Sequence, residues 1–204
     1  MANDYWQKRY ERILDESFQK ATLTDEEIKK QYARALRRME KAINDWYRRF
    51  ANENGITLQE ARKLLDKYEM KAFKMDLKEF ENEAKQLGMS KEHKQMLSNA
   101  SIRERLSREQ MLYINMVHEI EVMAHSQNVS VKNMLDDVYR SSVYKSAYTA
   151  QTQRGTYSMI NSVDSKRVDS VVNSQWANDG QDFSSRIWTD KVKLVANLQN
   201  DFTQ

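Results

Sequence analysis

The side chains best placed to do chemistry in this sequence are cationic and lie on one helical stretch. Between Ile28 and Phe50 stand Lys29, Lys30, Arg34, Arg37, Arg38, Lys41, Arg48 and Arg49, against only Glu40 and Asp45. Lys30, Arg34, Arg37, Arg38, Lys41 and Arg48 fall opposite the apolar positions of that stretch when it is wound as a helix. A basic stripe of this kind suits contacts to phosphates without reading of bases. The plainer alternative is a solvated face whose acidic complement comes from a neighbouring helix. Other chemistry is poorly served. Cysteine is absent, which removes disulfides, thiolate nucleophiles and thiolate metal sites and fits a reducing compartment. His118-Glu119 resembles the start of a zinc-protease helix, but the next histidine, His125, is seven residues on rather than four. His118 and His125 are therefore read as satisfied core histidines near one face of a buried helix. No phosphate-cradling glycine loop occurs, and the carboxylates interleave with Lys and Arg at helical spacing, as on a solvated face. No catalytic, cofactor-binding or metal-binding residue is assigned, and the chain is not read as an enzyme.

The elements that must position these residues are helices. The sequence contains no proline and four glycines in 204 residues, and 31% of it is charged. Proline and glycine are what end helices and shape hairpins. The expected fold is all-α and elongated, with long amphipathic helices, a helical core and a Trp-rich corner near the C-terminus. The net charge of +3 says little by itself. Most of the charged residues precede residue 110, so two regions are expected: a charged long-helix region over 1–106 and a helical core region over 107–204. No stretch approaches a membrane span and the N-terminus lacks the pattern of a signal peptide, so a soluble chain made in the cytoplasm is expected.

Apolar spacing predicts a first helix from Asp4 to Phe18, with Trp6, Tyr10, Ile13, Leu14 and Phe18 on its buried face. Thr24 reads as the cap of a second, long helix running to Asn54-Gly55. Thr57-Leu58-Gln59-Glu60 reads as a capping box. Gly88 reads as a helix stop and Ser90 as the next start. The stretch from Ser107 to Asn128 is apolar on nearly all sides and is the candidate central helix. Ser130 reads as the cap of a helix ending at Gly155, and a short helix is expected over Ser165–Asn173. Ser184 reads as the cap of the last helix. That helix has no stop signal before Gln204, which predicts a fragment of a longer protein or its ordered part. Trp176, Phe183 and Trp188, around the Asp179-Gly180 turn, are expected to pack as a clasp.

These last residues also carry a resemblance. Trp176-Ala177-Asn178-Asp179-Gly180, Phe183-Ser184-Ser185-Arg186-Ile187-Trp188 and Lys191 are similar to the W-x-x-D-G-x-x-F-S-x-R-I-W-x-x-K hallmark of tailed-phage minor head proteins, the head-morphogenesis proteins related to the Mu F protein. Tyr5-Trp6-x-x-Arg9-Tyr10 resembles the same family. So does Trp46-Tyr47-Arg48-Arg49-Phe50-Ala51, continuing through Gly55-Ile56-Thr57-Leu58, Glu60-Ala61 and Leu64-Leu65. The resemblance touches both ends and the middle of the chain. It implies a structural head protein, binding the portal inside the capsid, contacting packaged double-stranded DNA without sequence preference, and acting in head assembly and in packaging or ejection. It further implies a few copies per virion, a virion location after assembly in the host cytoplasm, and no membrane. Trp176, Asp179, Gly180, Phe183, Arg186 and Trp188 enter as structural motif residues. The family usually continues into a region with an Arg-Thr-Glu motif, which this chain lacks. Two alternatives stand beside it: an enzyme module such as a metal-dependent nuclease or an ADP-ribosyltransferase-like domain, and a cytoplasmic coiled-coil adaptor without nucleic acid.

Overall fold

A computed structural model describes residues 2–51, 64–65, 67–176 and 178–203, with backbone alone for 2–3, 46–51 and 202–203. Among the described residues there are six helices: α1 Ala2–Ala51, α2 Lys67–Gln86, α3 Lys91–Ser101, α4 Arg108–Arg154, α5 Ser165–Val172 and α6 Phe183–Thr203. Apart from one isolated antiparallel bridge, Leu64 to Ser107, these residues form no strand. The fold is all-α, as expected of a chain without proline. None of these helices is long and apolar enough to cross a membrane.

The main departure from expectation is continuity. α1 runs unbroken through Thr24, and α4 through Ser130. Thr24 does not cap; its hydroxyl donates to the Lys20 carbonyl at 3.0 Å, and Thr22 does the same to Phe18 at 3.0 Å. A threonine followed by acids resembles a helix start, but it also sits comfortably inside a helix by bonding back to i−4. No glycine or proline lies between Phe18 and Thr24 to force the break. Where glycine does stand, the stop is real. At Gly88 (φ 66°), Met89 N–H donates to the Ala84 carbonyl and Gly88 N–H to Lys85, the Schellman arrangement. Gly155 (φ 66°) ends α4 the same way, with Thr156 bonded to Gln151 and Gly155 to Thr152. Ser90 caps α3 by accepting from His93 N–H at 3.2 Å. The capping box at Thr57 and the stop at Gly55 lie outside the described residues.

The chain divides into two compact units, one of residues 1–30 and 127–187, the other of 31–126 and 188–204. Neither coincides with the consecutive regions 1–106 and 107–204, because each unit takes one part of α1 and one part of α4. In the first unit the two helix segments run antiparallel and are joined by polar rungs. Arg9 meets Thr149, Glu16 meets Lys145, Ser17 meets Ser142 and Lys20 meets Asp137. The α1 face turned inward therefore carries Arg9, Ile13, Glu16, Ser17 and Lys20. The expected apolar face is partly outside: Leu14 is exposed and Phe18 is 70% exposed. This part of α4 meets α1 with Asp137, Ser142, Lys145 and Thr149. Arg140 ties down the chain after α4, donating to the Val163 carbonyl at 3.0 Å and the Ser165 hydroxyl at 3.2 Å. α5 then buries Val168 and Val172.

The second unit holds the apolar core. Phe73, Leu77 and Ala84 of α2, Leu97 and Ala100 of α3, and Met111, Leu112, Ile114 and Val122 of α4 form one buried cluster. Each set follows the three-four spacing that puts one helix face inward. The first part of α4 buries residues around most of its circumference, Val117, Ile120, Met123 and Ala124 included, as expected of the central helix. Arg108 and Glu69, both nearly buried, pair at 2.9 Å at the start of α4.

Candidate functional site

The cationic stripe is a property of α1. Lys30, Arg34, Arg37, Arg38 and Lys41 are all exposed. Lys30 is the last α1 residue of the first unit; the other four belong to the second. Several carry other commitments, Arg34 among them. Arg37 Nε donates to the Ala33 carbonyl of its own helix at 3.1 Å. Arg38 Nε lies 3.3 Å from Glu119 Oε2 on α4, so its charge is partly answered within the unit. Burial pushes the Glu119 carboxyl above the usual carboxylate range, with Arg38 pulling it down and Glu83 pushing it up. The stripe is thus narrower than its sequence suggested: Arg38, at its edge, turns toward an acid on a neighbouring helix. The Arg48 side chain lies outside the described residues.

Beneath that edge lies a polar relay that spacing along the chain did not disclose. His93 Nε2 and His118 Nδ1 are 3.0 Å apart, and His118 Nε2 lies 3.0 Å from Glu83 Oε2. His118 is 1% exposed and stacks on Phe80, ring centroids 4.2 Å apart. Burial holds His93 down at about 4, with Glu121 opposing and His118 and Lys191 adding to the shift. Burial lowers His118 too, against the pull of Glu83. With both rings neutral one arrangement satisfies the chain: His93 Nε2–H donates to His118 Nδ1, and His118 Nε2–H donates to Glu83. His118 is the satisfied core histidine expected, with His93 and Glu83 as its partners, whereas His125 is only half-buried. The available signal was that His93, Leu97 and Ala100 share the apolar face of α3. The pairing itself is a tertiary fact. Among the described residues no three His, Asp or Glu side chains are grouped to hold a metal ion. Two clefts open on this unit, one lined by Met70, Lys74 and Glu104 and one by Met96, Arg103 and Tyr113; neither is lined by His93 or His118.

The residues of the C-terminal motif are organised by charge more than by rings. Trp176 is 69% exposed, so the packed aromatic corner expected there does not close around it. Asp179 makes the turn instead: its Oδ1 accepts from Gln181 N–H at 3.2 Å and from Arg186 Nη2 at 2.8 Å. Gly180, at φ 71°, takes the left-handed conformation that an Asp-Gly turn needs. The cap of α6 is Asp182, not Ser184. Asp182 Oδ1 accepts from Ser185 N–H at 2.6 Å, and the hydrogen bond from the Ser185 backbone leads the causes holding its carboxyl below the usual range. Ser184 instead accepts from the Asn128 amide at 2.6 Å. Phe183 is half-buried. In the second unit, Lys191 lies 5.3 Å from the Trp188 ring centroid and pairs at 2.8 Å with Glu121, which is 1% exposed.

No protein-family model, no curated protein and no solved structure matches this chain significantly.

Proposed function

We propose that this chain is a structural minor head protein of a tailed phage, without catalytic activity, that binds the portal inside the head and touches packaged DNA. The observation that carries the reading is the motif from Trp176 to Lys191 in a proline-free all-α chain. Its polar members make specific bonds: Asp179 with Arg186, Lys191 with Glu121. Residues that recur as a pattern because they hold a fold together are expected to look like this. The exposed apolar residues of α1 in the first unit, Leu14 and Phe18 among them, supply the kind of surface a protein partner covers. Exposed Arg34, Arg37 and Lys41 supply charge for phosphates. The adaptor alternative draws on one observation, the Arg38–Glu119 pair, which answers part of the stripe from within.

The DNA part of the reading has a direct test. Binding to duplex should be indifferent to sequence and weaken steeply with salt, with a slope of about −0.9 in log K against log salt for each phosphate neutralised. Replacing Arg34, Arg37 and Lys41 with glutamine leaves helix propensity nearly unchanged. It should flatten the slope by up to about 2.7 if all three touch phosphate. Salt titrations on two unrelated duplexes check this. Equal slopes for wild type and triple variant would make the stripe a solvated face.

A further inference from the structure

The first unit contains a cleft of about 390 Å³ between the N-terminal part of α1 and the C-terminal part of α4. Its cationic wall carries Lys8, Arg9 and Arg12 from α1 and Lys145 from α4. Two of these charges are answered: Lys8 pairs with Asp4, and Lys145 with Glu16. Arg9 and Arg12, one turn apart, form no ion pair among the described residues.

Arg9 is held in place by neutral groups. The Thr149 hydroxyl is 1% exposed and donates its proton to the Lys145 carbonyl at 2.7 Å. Its oxygen accepts from Arg9 Nε at 3.0 Å. Arg9 Nη1 donates to the Tyr5 hydroxyl at 3.2 Å, and the guanidinium carbon lies 5.4 Å from the centre of the Tyr148 ring. These contacts fix the plane of a half-buried guanidinium and leave its Nη2 edge and the Tyr5 hydroxyl proton unspent. A partly desolvated cation held by neutral partners lacks a counter-charge. Its planar fork matches two oxygens of one oxyanion. Because the side chain is already ordered, little of its freedom is lost on binding.

We infer that this cleft binds a phosphate group, with Arg9 as the fixed fork, Arg12 as the second charge and the Tyr5 hydroxyl as a further donor. Sulfate, a dianion of similar size, fits the same donors, and two cations without an ion-pair partner among the described residues attract either oxyanion. The phosphate can come from a small phosphomonoester or from a nucleic acid backbone. This site is separate from the stripe over Arg34–Lys41 and does not depend on the portal reading.

Calorimetric titration of the whole chain at constant ionic strength decides it. The probes are inorganic phosphate, pyrophosphate, adenosine monophosphate and a short duplex without terminal phosphates, with chloride as the control anion. Saturable binding of at least one phosphate probe is expected. Arg9→Gln and Arg12→Gln should each weaken it by about tenfold or more, whereas Lys78→Gln on α2 should leave it unchanged. Arg12 is exposed and forms no hydrogen bond or ion pair among the described residues, so Arg12→Gln remains informative if Arg9→Gln lowers the melting temperature. Saturation by the small probes alone assigns a monoester site; saturation by the duplex alone assigns the same donors to backbone phosphate. No saturable binding of any phosphate probe, or Arg12→Gln binding like wild type, overturns the inference.

Discussion

Replacing Lys191 with methionine is expected to destabilise the fold by about 3–5 kcal/mol, because it strands a buried carboxylate. Lys191 and Glu121 meet at 2.8 Å with both side chains largely withdrawn from water. Glu121 Oε1 has no hydrogen-bond donor among the described residues, so Lys191 is the partner that compensates the charge there. The pair itself need contribute little net stability, since charges brought out of water lose about what they gain from each other. The asymmetry is in removing one half. Urea denaturation of Lys191→Met, of Glu121→Leu with Lys191→Met, and of wild type separates these statements. The double variant should recover most of the loss, the single variant none. A single variant as stable as wild type would mean that Glu121 is not held as a buried ion.

Acid should destabilise the second unit well before its ordinary carboxylates titrate. The unfolded chain takes up a proton on His93 near 6.5, whereas the folded chain resists until about 4. In that window the unfolded state binds more protons, so stability falls as pH falls. The sign is therefore full stability above about pH 6.5 and progressive loss down to about pH 4. The slope is about 1.4 kcal/mol per pH unit for each histidine held neutral. His118 is shifted in the same direction. Glu119, whose carboxyl is raised, acts oppositely by taking up a proton more readily when folded, and it moderates the loss at the acid end. Denaturation midpoints measured from pH 8 to pH 4 should be flat at first and then fall. In His93→Gln the fall should be shallower, because one titrating group has gone. A wild-type profile flat down to pH 4.5 would show that the two rings are not held neutral by burial.

Much of this was legible because composition acts at every residue. The absence of proline removes the strongest helix breaker, and the three described glycines stand at Gly88, Gly155 and Gly180, each at a turn with positive φ. Stops of this kind are written in one residue and can be read from one residue. Starts are less distinct, since Thr24 and Ser130 have the type of a cap but lie inside helices. Their hydroxyl chemistry serves both positions, and what decides is whether anything nearby breaks the turn before. Faces proved harder still. Trp6, Tyr10, Ile13, Leu14 and Phe18 are spaced as a buried stripe, yet the segment pairs through Arg9, Glu16, Ser17 and Lys20. Which face is buried depends on what the other helix presents, and that other helix is over a hundred residues away in sequence. Shorter separations along the chain hid His93 from His118 and Glu121 from Lys191 just as well. Sequence spacing locates each residue on its own helix, and only packing joins them.

The portal reading is tested most directly by co-expressing this chain with a tailed-phage portal protein from the same source and purifying through a tag on the portal alone. The predicted result is a complex that survives size-exclusion chromatography at physiological salt with a fixed ratio of the two chains, and that on imaging shows helical density of this chain on the face of the portal that points into the head. Separate elution of two folded proteins at every ratio tried would contradict it.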